Sequence, residues 1–318
     1  MTRVPYDPEL QPTAEEFMAT YGPSMPAEVV PIARAMFGQR VPGLDELVAG
    51  RQVSANTIEV PGDETGPASA MTIFSPESIA AGCGVFYIHG GGMVMGHRLG
   101  GADDLVNLAE QLQVPVFTVD YRLSPEDPYP AAVNDVRRIW LWVVEHAAEF
   151  GVDPSRLILM GGSAGGALAA GLALHLRDEK LQTPLAVCLL SPMLDDRNDS
   201  GSSHDYDGTS LWDRSSNLMG WDAFLGAERS TVSAYAAPAR ATDLSGLPPT
   251  YLEVGSSEVF RDEVTEFASR LWAAGNLAEL HVWAGGFHGF STFAPQAQVS
   301  VASVATRDDW LRRMIPSR

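Results

Sequence analysis

From Val53 onward the chain alternates between short, nearly continuous apolar runs and longer stretches whose apolar residues recur every three or four positions. The short runs are Thr57 to Val60, Ala70 to Phe74, Gly84 to Ile88, Val114 to Asp120, Leu157 to Met160, Leu185 to Leu190, Thr250 to Val254 and Ala278 to Trp283. Their length and β-branched content predict strands. The periodic stretches, Ala102 to Leu112, Ala131 to Glu149, Ser163 to Arg177, Asp262 to Ala274 and Ala297 to Met314, predict amphipathic helices. Strands apolar on both sides, separated by helices, predict an α/β fold whose mostly parallel sheet is covered on both faces.

Two stretches depart from this alternation. In the first fifty residues Pro5, Pro8, Pro12, Pro23, Pro26, Pro31 and Pro42 leave room only for short helices, Ala14 to Thr20 and Ala27 to Gly38. Phe17, Met18, Tyr21, Met36 and Phe37 make this segment apolar enough to dock, and residues 1–50 are predicted to be a helical cap. Residues 51–318 form the main α/β domain. Within it, residues 195–240 are rich in Asp, Ser and Gly with Trp212, Trp221 and Phe224 embedded, which predicts a helical insertion near the mouth of a site. The sequence carries no repeats.

Composition narrows the function classes. A 318-residue chain that is 45% hydrophobic is long enough for one large α/β domain with an appended cap. No apolar run reaches the roughly 18 residues that span a bilayer, and Met1 to Pro12 lacks the apolar core of a signal peptide. Cys83 and Cys188 both lie in strand-like runs and read as free buried thiols of a reducing compartment, hence a cytoplasmic protein. A formal charge of −19 argues against nucleic acid or anionic membranes as partners.

Gly161-Gly162-Ser163-Ala164-Gly165 stands between a predicted strand and a predicted helix, the setting in which G-x-S-x-G lifts a serine above a sheet on a sharp turn. The following helix start points N–H groups at developing negative charge. His89-Gly90-Gly91-Gly92, directly after another strand, presents backbone N–H groups without obstructing Cβ atoms; the N–H of Ala164 is a further donor. A serine hydroxyl needs a general base. His288, in Gly285 to Phe290 beyond the last strand, is the candidate, while His89 belongs to the glycine loop and His97, His146, His175, His204 and His281 fit helices, strands or solvated loops. The carboxylate that orients such a histidine follows the serine and precedes the histidine in this chain order. Glu258, at the mouth of the strand Thr250 to Val254, is preferred, and Asp262 is its rival. No spacing of His, Cys, Asp or Glu supports a metal, and no phosphate loop supports a nucleotide cofactor, so none of either is expected.

The chain resembles the hormone-sensitive-lipase-like esterases of the α/β-hydrolase superfamily from about residue 50 onward. Four blocks in family order carry the resemblance: His89 to Gly92, Asp120 to Glu126, Gly161 to Gly166, and the loops bearing Glu258 and His288. It implies an α/β-hydrolase fold and an oxyanion hole made by the N–H groups of Gly91, Gly92 and Ala164. It also implies a cap to which the N-terminal helices contribute and a structural brace at Tyr121 to Glu126. Two positions depart from the family pattern: Gly162 stands where an acidic residue is usual, and Glu258 where aspartate is more common.

The function expected is hydrolysis of a small carboxylic ester, of short-to-medium acyl or aromatic type, through an acyl-enzyme on Ser163. Amide or lactone hydrolysis and acyl transfer use the same machinery and stay open; a non-catalytic receptor is the contrasting class. Met93, Met95, Trp212 and Phe290 are candidates to line the substrate pocket. The final strand should lie at a sheet edge, where a second copy can pair to form a homodimer.

Overall fold

Eight strands of the described residues form one sheet in the order β1-β2-β4-β3-β5-β6-β7-β8. The computed structural model describes residues 3–39, 42–79, 82–226 and 229–315, and only the backbone of residues 36–39. The expected docking of the Met36 and Phe37 side chains therefore lies outside the described residues. In chain order the helices α1 (Gln11–Tyr21), α2 (Val30–Gln39) and α3 (Leu44–Leu47) precede β1 (Val53–Val60), β2 (Ser69–Pro76) and β3 (Gly84–Ile88). Then come α4 (Ala102–Leu112), β4 (Val116–Val119), α5 (Ala131–His146), β5 (Leu157–Gly162), α6 (Ala164–Asp178) and β6 (Ala186–Leu190). The remainder is α7 (Gly201–Asp205), α8 (Arg214–Leu225), β7 (Thr250–Gly255), α9 (Arg261–Ala273), β8 (Ala278–Trp283), α10 (Phe290–Phe293) and α11 (Gln298–Met314).

β1 and β2 run antiparallel to their neighbours, and β3 to β8 pair in parallel. The parallel strands are apolar throughout because successive residues feed two cores. Along β5, Leu157 and Leu159 pack with α5, α6 and α9, while Ile158 and Met160 pack with α4 and α11. α4 shows the matching one-sided burial, with Leu105, Val106, Leu108, Ala109 and Leu112 against the sheet. α6 is apolar almost all round and is buried almost all round. Cys83 and Cys188 are free, buried residues of the α4/α11 core.

A third apolar cluster joins Leu10 and Ala14 of the N-terminal segment to Phe287, Phe290 and Ala297. Residues 195–240 contain α7 and α8 and interrupt the alternation between β6 and β7. The N-terminal segment is bonded to this insertion: Tyr6 Oη donates to the Thr209 carbonyl at 2.7 Å, Ser24 Oγ to Asp213 Oδ2 at 2.5 Å, and the Met25 N–H to Ser216 Oγ at 2.8 Å.

Candidate active site

The parallel strands β3, β5, β7 and β8 end on the same side of the sheet, and the loops leaving them carry the candidate residues. Ser163 is the single residue between β5 and α6, held at φ 54° and ψ −121°. That backbone conformation is strained for a side chain with a Cβ and is set by its surroundings. The Ser163 N–H donates to the Leu190 carbonyl at 2.8 Å, and its carbonyl accepts from the Met193 N–H at 3.0 Å. Beyond the turn α6 approaches β3 so closely that only glycine fits at 165, where a Cβ would lie 2.1 Å from the Ile88 carbonyl oxygen. Gly162 differs, since a Cβ there would meet Tyr87 Oη at 3.5 Å and the Leu190 carbonyl at 3.9 Å, ordinary contacts. Local packing therefore leaves room for a Cβ at this position.

Ser163 Oγ lies 3.0 Å from His288 Nε2, and His288 Nδ1 lies 3.2 Å from Glu258 Oε1. With Nδ1–H donating to the carboxylate, Nε2 is left to accept the serine proton. Glu258 is fully buried. Its second oxygen accepts from the Gly255 N–H at 3.3 Å and from Ser191 Oγ at 3.2 Å, which balances the buried charge. The ring of buried Phe260 packs edge-on to the imidazole with centroids 5.0 Å apart. Asp262, the rival carboxylate, points elsewhere: it accepts from the Ser202 N–H at 2.7 Å and from Arg261 Nε at 2.7 Å. Glu263 is buried beyond it, accepts from the Leu194 N–H at 2.6 Å, and has its carboxyl pushed well up by burial.

The loops carrying Glu258 and His288 meet backbone to backbone. A Cβ on Gly255 would stand 2.0 Å from the Gly286 carbonyl oxygen. The Ser257 N–H donates to Gly286 at 2.9 Å, and Gly285 N–H to Ser256 Oγ at 2.8 Å. The extreme N-terminal segment closes over them, with Ser257 Oγ donating to the Pro5 carbonyl at 3.0 Å and the Asp7 N–H to the Gly285 carbonyl at 3.1 Å.

The loop after β3 passes directly over the serine, and a Cβ on Gly90 would lie 3.1 Å from that of Ser163. Among the described residues, the N–H groups of Gly91, Gly92 and Ala164 donate to no protein acceptor. Ala164 adjoins Ser163 in the chain, and Gly91 and Gly92 follow Gly90 on the loop that crosses the serine. Burial pushes the His89 imidazole down to about 4, and the neutral ring uses Nδ1–H to hold the Gly90 carbonyl at 2.7 Å. Tyr121 stacks on His89 at 4.3 Å and donates its hydroxyl to the His89 carbonyl at 2.9 Å. Its neighbours grip in turn: Arg122 chelates the buried Asp135, and the Ser124 N–H donates to the Met93 carbonyl at 2.9 Å.

The proposed pocket residues fall into two groups. Met93, Met95 and Trp212 are buried, and the Trp212 ring covers Gly92, whose absent Cβ would collide with it at 2.3 Å. Phe290 packs instead into the cluster with Leu10 and Ala14. The aromatic ring over the histidine turn is Phe293, half-exposed, in contact with Phe17 of α1 at 5.5 Å and close above Gly289. Phe293, Ser191 and the residues around Pro5 went unnoticed in the sequence because none belongs to a local pattern. Among the described residues, no group of three or more His, Cys, Asp and Glu side chains is placed to hold a metal ion.

A family model described as the alpha/beta hydrolase fold matches residues 85–292. The chain belongs to that family. Within it the chain is an ester hydrolase of the hormone-sensitive-lipase-like branch. This esterase is 33% identical over 310 residues to carboxylesterase NlhH of Mycobacterium tuberculosis, covering 92% of this chain and 91% of that protein. It is also 33% identical to esterase LipI of the same organism, over 66% of each chain. Among solved structures, a bacterial heroin esterase superposes with a TM-score of 0.90 over 98% of each chain, at 36% identity.

Proposed function

We propose that this esterase cleaves its substrate through an acyl-enzyme on Ser163. In acylation, His288 Nε2 takes the proton from Ser163 Oγ as that oxygen bonds to the ester carbonyl carbon. The carbonyl oxygen becomes an oxyanion facing the N–H groups of Gly91, Gly92 and Ala164. When the C–O bond to the alcohol breaks, His288 returns the proton to the departing oxygen. In deacylation His288 deprotonates water, which attacks the acyl carbon and releases the carboxylic acid and Ser163. Glu258 keeps the imidazole in the required tautomer and stabilises it when charged.

The observation that carries this reading is the unbroken series of contacts from Glu258 through His288 to Ser163, at 3.2 and 3.0 Å, beside the unengaged N–H groups. The buried Met93, Met95 and Trp212 beside Gly92 support a short-to-medium acyl or aromatic ester as substrate. Residues 1–50 and the 195–240 insertion act together as the cap, a role supported by the bonds of Tyr6, Ser24 and Met25 to the insertion. The buried free thiols of Cys83 and Cys188 support residence in the reducing cytoplasm, and no helix among the described residues is long and apolar enough to cross a membrane.

A panel of chromogenic esters varying acyl length and alcohol bulk separately tests the proposal, with wild type, Ser163→Ala and an organophosphate-treated sample side by side. Turnover should peak at short or medium acyl chains and vanish in both modified samples. Turnover surviving in Ser163→Ala, or amides and lactones turned over faster than every ester, would reject it.

A further inference from the structure

Arg34 lies on α2, more than fifty positions before the glycine loop, yet its guanidinium is bound against that loop. Nε donates to the Val94 carbonyl at 2.6 Å and Nη2 to the Ser124 carbonyl at 2.6 Å. Nη1 and Nη2 also form a bidentate pair with Glu126 at 2.8 Å each. Val94 closes the turn that begins at Gly91, because the Val94 and Met95 N–H groups both donate to the Gly91 carbonyl, at 3.1 and 3.0 Å. Met93, inside the turn, is held at φ 65°, a conformation that disfavours a side chain and persists only under external restraint. Two restraints come from Arg34 and the strand-following segment together: Arg34 grips Val94, and the Ser124 N–H grips Met93 at 2.9 Å.

We propose that Arg34 is a positioning residue for the oxyanion hole, through which the docked N-terminal segment sets the turn carrying Gly91 and Gly92. The inference rests on the reading of those two glycines as oxyanion donors. Such donors act only when aimed at the place where charge develops, and their strength falls steeply with angle and distance. A guanidinium suits the task because its planar fork spans two carbonyls and a carboxylate at once. Arg34 also holds the Glu126 carboxyl down at about 2, so the pair persists throughout the range in which esters are assayed.

The test uses Arg34→Ala and Arg34→Lys, assayed on an ester and on its thiono analogue, with thermal unfolding recorded alongside. Sulfur accepts hydrogen bonds weakly, so donors fitted to oxygen favour the oxo ester. Arg34→Ala should lower kcat for the oxo ester about 10- to 100-fold, with KM within about 3-fold, and shrink the oxo-to-thiono ratio. Arg34→Lys keeps the charge facing Glu126 but lacks the fork, so it should fall in the same direction; it decides the matter if the alanine variant does not fold. The proposal is overturned if either folded variant keeps kcat and the ratio within about 2-fold of wild type. It is equally overturned if both esters lose activity in equal measure. A wild type that does not discriminate between the esters, or an active Ser163→Ala, would instead remove the underlying reading of the site, and the proposal with it.

Discussion

Ser163 sits at φ 54° and ψ −121° within hydrogen-bond reach of His288, so removing its oxygen changes chemistry and little else. Ser163→Ala should keep the unfolding transition and lose turnover to below about 10⁻³ of wild type, checked by single-turnover assay. The two carboxylates separate cleanly. Glu258→Gln preserves shape but presents an amide to His288 Nδ1 and favours the wrong tautomer, so kcat should drop by up to about 10⁴-fold. Asp262→Asn weakens its hold on the Ser202 N–H and Arg261 and should cost about 1 kcal/mol of stability with kcat nearly unchanged. Loss of turnover in the Asp262 variant alone would reverse these roles. His89 offers a pH test. Its folded imidazole is down at about 4 against roughly 6.5 in the unfolded chain, so the unfolded state takes up the proton first. That contribution is complete above about 6.5 and is lost as pH falls toward 4. Glu263 and Asp308, raised by burial, work in the opposite sense and are common to both proteins in a comparison with His89→Gln. Unfolding midpoints of wild type should fall more steeply than those of the variant between those pH values; parallel curves would exclude the effect.

Periodicity located the elements well where one residue pattern met one partner. β3, β8 and α4 occupy the spans that their apolar residues predict. β1 begins at Val53, earlier than its apolar run, because all eight of its residues pair with β2 regardless of side-chain type. α5 stops at His146 and continues as a 3₁₀ turn over Ala147–Phe150, which Gly151 closes at φ 70°. The sheet is mostly parallel, as expected; which strands are the antiparallel ones, the first two, was not readable, because apolar strands look alike in either direction. At this scale Asp213 joins two elements. It caps α8 through the Ser216 N–H at 2.7 Å and accepts from Ser24 Oγ of the N-terminal segment at 2.5 Å. Asp213→Ala should lower stability by about 1–3 kcal/mol, read from denaturant unfolding. A variant as stable as wild type would mean that the two pieces dock without this link.

For the whole molecule, β8 ends the sheet, with Val282 half-exposed on it and Leu277 more exposed just before it. A homodimer paired along this edge is expected, since edge backbone groups need a partner or a cover. Light scattering should find about twice 34.1 kDa at micromolar concentration, and a species of 34.1 kDa alone would end the idea. Exhaustive chelation should leave ester turnover intact. A loss restored by one divalent ion would point to a metal role that the proposed mechanism does not contain.

The glycine-bounded turns around Ser163 and Gly91, the histidine after the last strand and the carboxylate after β7 were legible in the sequence by itself. Each is a local device: a sharp turn demands glycine at its flanks, and chain order plus strand ends place the loops at one edge. Glu258 was preferred to Asp262 from the sequence because it stands at the mouth of the strand, whereas Asp262 follows four residues later, in the first turn of α9. Where each carboxylate points was decided by the fold: Glu258 lies 3.2 Å from His288 Nδ1, and Asp262 accepts from the Ser202 N–H and from Arg261. The bonds of Ser191 to Glu258, of Pro5 to Ser257 and of Arg34 to Val94 were likewise decided only by the fold. Such contacts join segments that are far apart in the chain, and a hydrogen bond between distant segments leaves no periodicity or spacing in either of them.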